Sequence, residues 1–172
     1  MNILRQIFNL KEPPLKIGDR YQGGIIAYFF QKGEKGFVAM EFHGLIAAPF
    51  DQSSGIMWNK REYKEIKNTG RKIGTGLSNT IAIVESQGSG TYAAKICLDL
   101  VIDQYNDWFL PCIDELKRIY NNRLLIGGFC NNFYWSSSQN GGNTAQNLNF
   151  ADGTIGNNYR IQQFCVRAAR TF

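Results

Sequence analysis

His43 is the only imidazole in this chain of 172 residues, so any Ser–His–Asp or Cys–His arrangement would have to use it as base. It lies in the strand-like stretch HGLIAA, which reads as a structural position. Asp51, Asp99, Asp103, Asp107, Asp114, Glu115 and Asp152 offer the acid and base types of glycosidic cleavage, but no spacing selects a pair. Gly74-Thr75-Gly76 opens like a dinucleotide fingerprint, yet the third glycine and a strong preceding strand are missing, so it reads as a turn. Asn106-Asp107-Trp108 has the ingredients of a calcium site without an EF-hand loop, and reads as a corner before Pro111. Cys97, Cys112, Cys130 and Cys165 form no CxxC pair and show no zinc spacing. An even count permits two disulfides. The apolar neighbours of Cys97 and Cys165 favour reduced, buried thiols instead. These residues point to a chain that is not an enzyme and carries no cofactor or metal.

Binding chemistry is better represented. From Asn131 to Tyr159 there are eight asparagines and one charged residue, Asp152, with Ser, Gly, Thr and Gln between. Such residues hydrogen-bond adaptably and are poor core material; antibody paratopes draw on the same set. If Leu148 and Phe150 point inward along a strand, Asn147 and Asn149 point outward. A second candidate is the basic run Lys60, Arg61, Lys64, Lys67, Arg71 and Lys72, opposed only by Glu62 and Glu65. It suits phosphate, sulfated glycan or a membrane surface, or is a solvated loop. No DNA- or RNA-binding signature accompanies it, so no nucleic acid is expected.

The elements that must position these residues give an α+β pattern, strands then helices then strands without a βαβ rhythm. Residues 1–17 read as a separate N-terminal segment. Within it Ile3, Leu4, Ile7 and Phe8 share one face of a short helix, stopped by Pro13-Pro14. That helix must pack on this domain, on a sister subunit or on a larger assembly. Gly23–Phe30, Phe37–Met40 and Gly44–Ala48 are expected strands. Asn79 is expected to cap a helix through Gln87, and Thr91 a second one whose seam is Ala93, Ala94, Cys97, Leu98 and Val101. Pro111 opens a third, with Ile113, Leu116, Ile119, Tyr120 and Leu124 on one face. Strands are expected from Phe133, around Leu148, and over Ile161–Arg167. No stretch reaches the ~20 apolar residues of a membrane span. The first ten residues are too short for a signal peptide, which leaves synthesis in the cytoplasm and a final place on a virion or cell surface.

The ordered set YQGGIIAYFFQKGEKGF, HGLIAAPFDQSSGIMW, YAAKICLDLVIDQYNDWFLPCIDELKRIY, FYWSSS and FCVRAAR resembles the C-type-lectin-like domain of bacterial surface proteins and collagen-like adhesins. The resemblance covers residues 18–172. It implies an α+β fold of mixed short antiparallel strands and two to three helices, with neighbouring termini and a ligand face at 131–167. The C-terminal part is similar to the variable proteins of diversity-generating retroelements, common in gut bacteria and their phages. In that reading Trp135, Ser136, Ser137, Asn147, Leu148, Phe150, Gly153, Val166 and Arg167 are a fixed frame. The variable, ligand-contacting positions are Asn140, Asn143, Thr144, Gln146, Asn149, Ala151, Asp152, Thr154, Asn157, Asn158, Tyr159, Arg160, Gln162 and Phe164. The calcium- and sugar-binding tripeptides of animal C-type lectins are absent, and so is the reactive cysteine pair of sulfatase-activating relatives. Where the family has Ser at the start of the third helix this chain has Cys112, a weaker partner for Glu115 in a capping box.

The expected function is therefore non-catalytic binding of a bacterial surface protein or glycan by a diversified phage or mobile-element protein, with homo-oligomers adding avidity. A fixed adhesin, or a polyanionic-glycan binder using the basic run, is the alternative.

Overall fold

The computed structural model describes residues 15–60, 66 and 69–172. Ile3, Leu4, Ile7 and Phe8, and Arg61, Lys64 and Lys67 of the basic run, lie outside the described residues. Nine strands and four helices are described, in the order strands, helices, strands: a mixed α+β arrangement.

The first strands are β1 (Arg20–Tyr21), β2 (Gly24–Phe29), β3 (Gly44–Ala47) and β4 (Ser53–Met57). Four helices follow: α1 (Gly76–Gln87), α2 (Ala93–Leu98), α3 (Ile113–Asn121) and α4 (Arg123–Ile126). The chain closes with β5 (Phe133–Gln139), β6 (Thr144–Asn149), β7 (Ile155–Tyr159), β8 (Gln163–Val166) and β9 (Ala169–Thr171). One sheet has the order β1-β2-β3-β9 and the other β4-β8-β5-β6-β7. β9 pairs antiparallel with β3, Leu45 facing Thr171 and Ala47 facing Ala169, so the C-terminal strand closes the sheet built by the first strands.

β2 is rich in β-branched and aromatic residues, and both β2 and β3 are buried almost throughout, as a strand covered on both faces must be. In α3 the buried Ile113, Leu116 and Ile119 recur every three residues, and Asp114 and Glu115 occupy the first turn where the helix dipole favours acids. Two apolar clusters result. One gathers Leu45, Phe109, Leu116, Tyr134, Leu148 and Phe150; the other gathers Trp58, Tyr92, Trp108, Trp135 and Val166.

Several expected elements shift. Phe37–Met40 is a turn, not a strand: Gly36 sits at φ +95° against the Phe30 ring, and Met40 is fully exposed. Helix α1 begins three residues before Asn79. Asn79 is instead buried in the helix, donating to Gly70 O at 2.7 Å and Ser137 Oγ at 3.1 Å and accepting from Gly70 N at 2.7 Å. Thr91 caps nothing, since α2 starts after Tyr92, and Val101 lies beyond its end, exposed. Leu124 leaves the α3 face because the chain breaks at Asn122 into α4. Four helices, two of them single turns or little more, stand where two to three were expected.

A carboxylate joins two of these helices. Glu115 is fully buried. Its Oε1 accepts from Gly74 N at 2.8 Å and Gly76 N at 3.5 Å, at the start of α1, and its Oε2 accepts from Cys112 N at 2.8 Å, at the start of α3. The Cys112 thiol completes a capping box with the Glu115 backbone N–H and donates to Lys72 O at 3.2 Å, and burial pushes its pKa up to about 12. Burial also raises the Glu115 carboxyl above the usual carboxylate range, outweighing the N–H groups of Cys112, Gly74 and Gly76 that pull it down. A raised folded-state pKa favours the protonated fold. The contribution of this group is therefore complete below the ordinary carboxylate range and is lost as pH rises through the raised value. Glu115→Gln puts an amide N–H where one oxygen accepted, as the protonated carboxyl does with its O–H, so it is expected to match wild type within about 1 kcal/mol at low pH. It also removes that pH-dependent loss; urea midpoints across a pH series that ran parallel for the two proteins would contradict this.

Candidate functional site

The Asn-rich segment folds as an antiparallel meander, β5-β6-β7, with β7 at the outer edge of the five-stranded sheet. Along β7 Ile155, Asn157 and Tyr159 are exposed while Gly156 and Asn158 are partly covered, the period of two of an edge strand. At one end, the β5–β6 turn meets the β7–β8 turn: Asn143 O accepts from Arg160 N at 3.0 Å, and Gln162 N donates to Tyr159 O at 2.9 Å. Asn140, Asn143, Tyr159 and Gln162 are exposed on these adjoining turns. At the other end, Asn149 Oδ1 accepts from Ala151 N at 3.0 Å, and Asp152 Oδ1 accepts from Thr154 N at 2.9 Å and Thr154 Oγ1 at 2.7 Å. Those Thr154 bonds hold the Asp152 carboxyl below its usual range. Four strand rises, about 13 Å, separate the two ends. The exposed positions thus form a rim of turns and one strand edge.

The rim holds eight of the fourteen expected contact residues: Asn140, Asn143, Ala151, Asp152, Thr154, Asn157, Tyr159 and Gln162. Thr144, Asn149 and Asn158 are half-buried beside it. Three expected contacts are covered, wholly or in part. Gln146 is 2% exposed and Arg160 is fully buried. The Arg160 guanidinium lies 4.7 Å over the Trp58 ring, and it donates to Gly141 O at 3.2 Å and Thr144 O at 3.5 Å, so it carries the turn from beneath. Phe164 is half-buried, stacked on Phe133 with centroids 5.1 Å apart and set against Trp135 at 4.5 Å.

Asn147 does not point outward either. It is fully buried, opposite Trp135 on β5 and Gly156 on β7, with Nδ2 donating to Asn158 Oδ1 at 2.8 Å. A Cβ at position 156 would come within 2.6 Å of Asn147 Oδ1, so a larger residue there would push the Asn147 amide aside. The physical reason is that this sheet is covered on both faces. Tyr134 and Leu148 belong to one apolar cluster, Trp135 and Ala145 to the other. Ile155 and Ile161, each 43% exposed beside Asn157, Tyr159 and Gln162, were missed. The spacing Ile155, Asn157, Tyr159 carries the signal that finds the first of them.

Several other chemistry-bearing residues have partners within the fold. A cavity of about 500 Å³ is lined by His43 and Glu115 together with Phe30, Leu77, Ile81, Phe109 and Phe172. Every Glu115 oxygen there faces backbone N–H groups. His43 Nδ1 lies 3.0 Å from Phe172 O and Nε2 2.9 Å from Glu41 Oε2, contacts that raise its pKa, the Glu41 bond most. Asp107 holds Arg170 through two bonds, 2.6 Å from Nε and 2.9 Å from Nη2, which makes the Asn106-Asp107-Trp108 corner an anchor for β9. Lys72 lines a depression of about 650 Å³ with Lys35, Lys117 and Arg118, and with the acidic Glu34 and Asp114. Of the cysteines, Cys97 and Cys165 are buried, as their apolar neighbours suggest, Cys112 is buried too, and Cys130 is exposed.

Arg160→Ala is expected to destabilise the fold by about 2–4 kcal/mol, because it removes both carbonyl partners of the β5–β6 turn and a ring contact. Asn157→Ala and Gln162→Ala should stay within about 0.5 kcal/mol of wild type. Guanidinium denaturation curves check both, and equal costs at buried and rim positions would erase the distinction between them. No family model matches this chain, and no curated protein matches it.

Proposed function

We propose that this chain is a non-catalytic binding module whose polar rim engages a protein or glycan on a bacterial surface. The observation that carries this is the separation of roles within 131–167. Exposed, almost uncharged side chains occupy turns and a strand edge, and fully buried residues beneath hold the backbone in place. Substitution at the rim then alters the partner while leaving the packing alone. The order of strands and helices, the return of β9 to β3 and the buried Trp135, Ser136, Ser137 and Arg167 support the C-type-lectin-like reading. The diversified phage or mobile-element protein is its finer form, placed on a virion or cell surface.

Ten exposed residues are fewer than the 20–30 a side of a typical interface of ~800 Å² per partner. Single sites would therefore bind weakly, and assembly through Ile3, Leu4, Ile7 and Phe8 would supply avidity. The test is a display library randomised together at Asn140, Asn143, Asn157, Tyr159 and Gln162, panned against purified lipopolysaccharide and a purified outer-membrane porin. Folded clones with distinct partners are expected. A matched library at Gln146, Asn147 and Arg160 should yield mostly unfolded chains. The reading fails if both libraries fold equally often, or if folded rim clones never bind either target.

A second reading rests on the depression lined by Lys35, Lys72, Lys117 and Arg118. As a polyanion site it predicts retention on heparin that falls steeply with salt. Replacing Lys72 and Lys117 with Ala should abolish that retention, and unchanged elution removes this reading.

A further inference from the structure

Three reactive side chains meet under the meander. Asp51, Cys130 and Cys165 place a carboxylate oxygen and two sulfurs within 4.8 Å of one another. Cys130 is exposed, on the loop between α4 and β5, and donates to Asp51 Oδ2 at 3.6 Å. Cys165 is buried on β8, in parallel register with Tyr134, and donates to Ser54 O at 3.4 Å. The carboxylate is already engaged: Asp51 Oδ1 accepts from Arg167 Nε and Oδ2 from the Tyr134 hydroxyl, both at 2.6 Å. A cation would have to displace Tyr134 and sit beside a guanidinium, which argues against a metal centre. The two thiols are what is left to react.

We propose that Cys130 and Cys165 form a redox pair, closed to an internal disulfide by a small-molecule disulfide such as oxidised glutathione. The exposed Cys130, as thiolate, attacks one glutathione sulfur; a mixed disulfide forms and one glutathione leaves as thiolate. Cys165 then loses its proton to solvent and attacks the Cys130 sulfur, expelling the second glutathione. The protein loses two electrons and two protons, and glutathione disulfide takes up both to become two thiols. Closing the sulfurs to about 2.05 Å needs a movement of at most about 3 Å. That movement would have to strain or break the bond from Cys130 N to the Tyr134 hydroxyl, 2.8 Å in the reduced form. Burial pushes the Cys165 thiol up to about 12 in the reduced protein.

The bond would span the whole recognition segment, since every rim position lies between residues 130 and 165. It would staple the base of the meander without touching a rim side chain, and its test requires no ligand. The full chain is incubated natively with oxidised glutathione, then followed by intact mass, peptide mapping and thermal melting. A loss of about 2 Da mapped to Cys130–Cys165 is expected, with a Tm rise of about 5–10 °C. Cys165→Ala should stop at a glutathione adduct on Cys130. Cys130→Ser, a change at an exposed position that leaves packing intact, should give neither product. A persistent adduct on wild-type Cys130, a Cys130-linked dimer, or no reaction at all would overturn the pair.

Discussion

The buried guanidinium of Arg167 is the constraint from which the C-terminal half is organised. It is fully covered, so each of its donors must find an acceptor or the fold carries an unpaired charge in a low-dielectric interior. It finds them in three separate parts of the chain: Asp51 before β4, Ala48 O after β3, and Gly128 O after α4. Its plane also lies 4.0 Å from the Phe129 ring. Asp51 passes the constraint on to Tyr134, whose hydroxyl also accepts from Cys130 N at 2.8 Å. The start of β5 is thus held against β8 by a chain of charge-assisted bonds, and the meander that bears the rim inherits its position from there.

Buried polar groups do the same on the helical side. Glu115 bridges the N-termini of α1 and α3. Ser137 accepts from Asn79 in α1, and Ser138 accepts from Ile113 N at 3.1 Å and donates to Gly70 O at 2.9 Å. Ser136 donates to Gln146 O at 2.8 Å, and Ser136 O accepts from Trp58 Nε1 at 2.7 Å. Strand β5 is therefore a polar strand in a buried place, sewn to both helices and to β6. On the neighbouring turns the side-chain bonds given for exposed residues are local, such as those of Asp152 with Thr154. That difference in bonding separates the buried strand from the exposed turns beside it.

Local pattern alone identified β2, β3, α3 and the start of β5, because runs of β-branched and aromatic residues and an apolar period near 3.6 are properties of adjacent residues. It failed at Phe37–Met40, where apolar residues form a turn, and at Val101 and Leu124, where the period runs past the helix end. Those errors share a cause: the sequence period shows which residues could share a face, and only packing decides where the backbone breaks.

The sequence by itself determined that a long uncharged segment lies near the C-terminus, that a single histidine leaves little for triad chemistry, and that strands flank a helical middle. Tertiary structure decided which polar residues are free. Asn147 and Asn157 are the same residue type ten positions apart, yet one is sealed between Trp135 and Gly156 while the other lies on an open edge. Alternation assigns a side chain to a face of its strand, but whether that face meets water depends on what packs across it. Here Trp58, Trp135 and Val166 cluster with Ala145 on the β6 face that also carries Asn147, a face that the pattern of β6 alone reads as open.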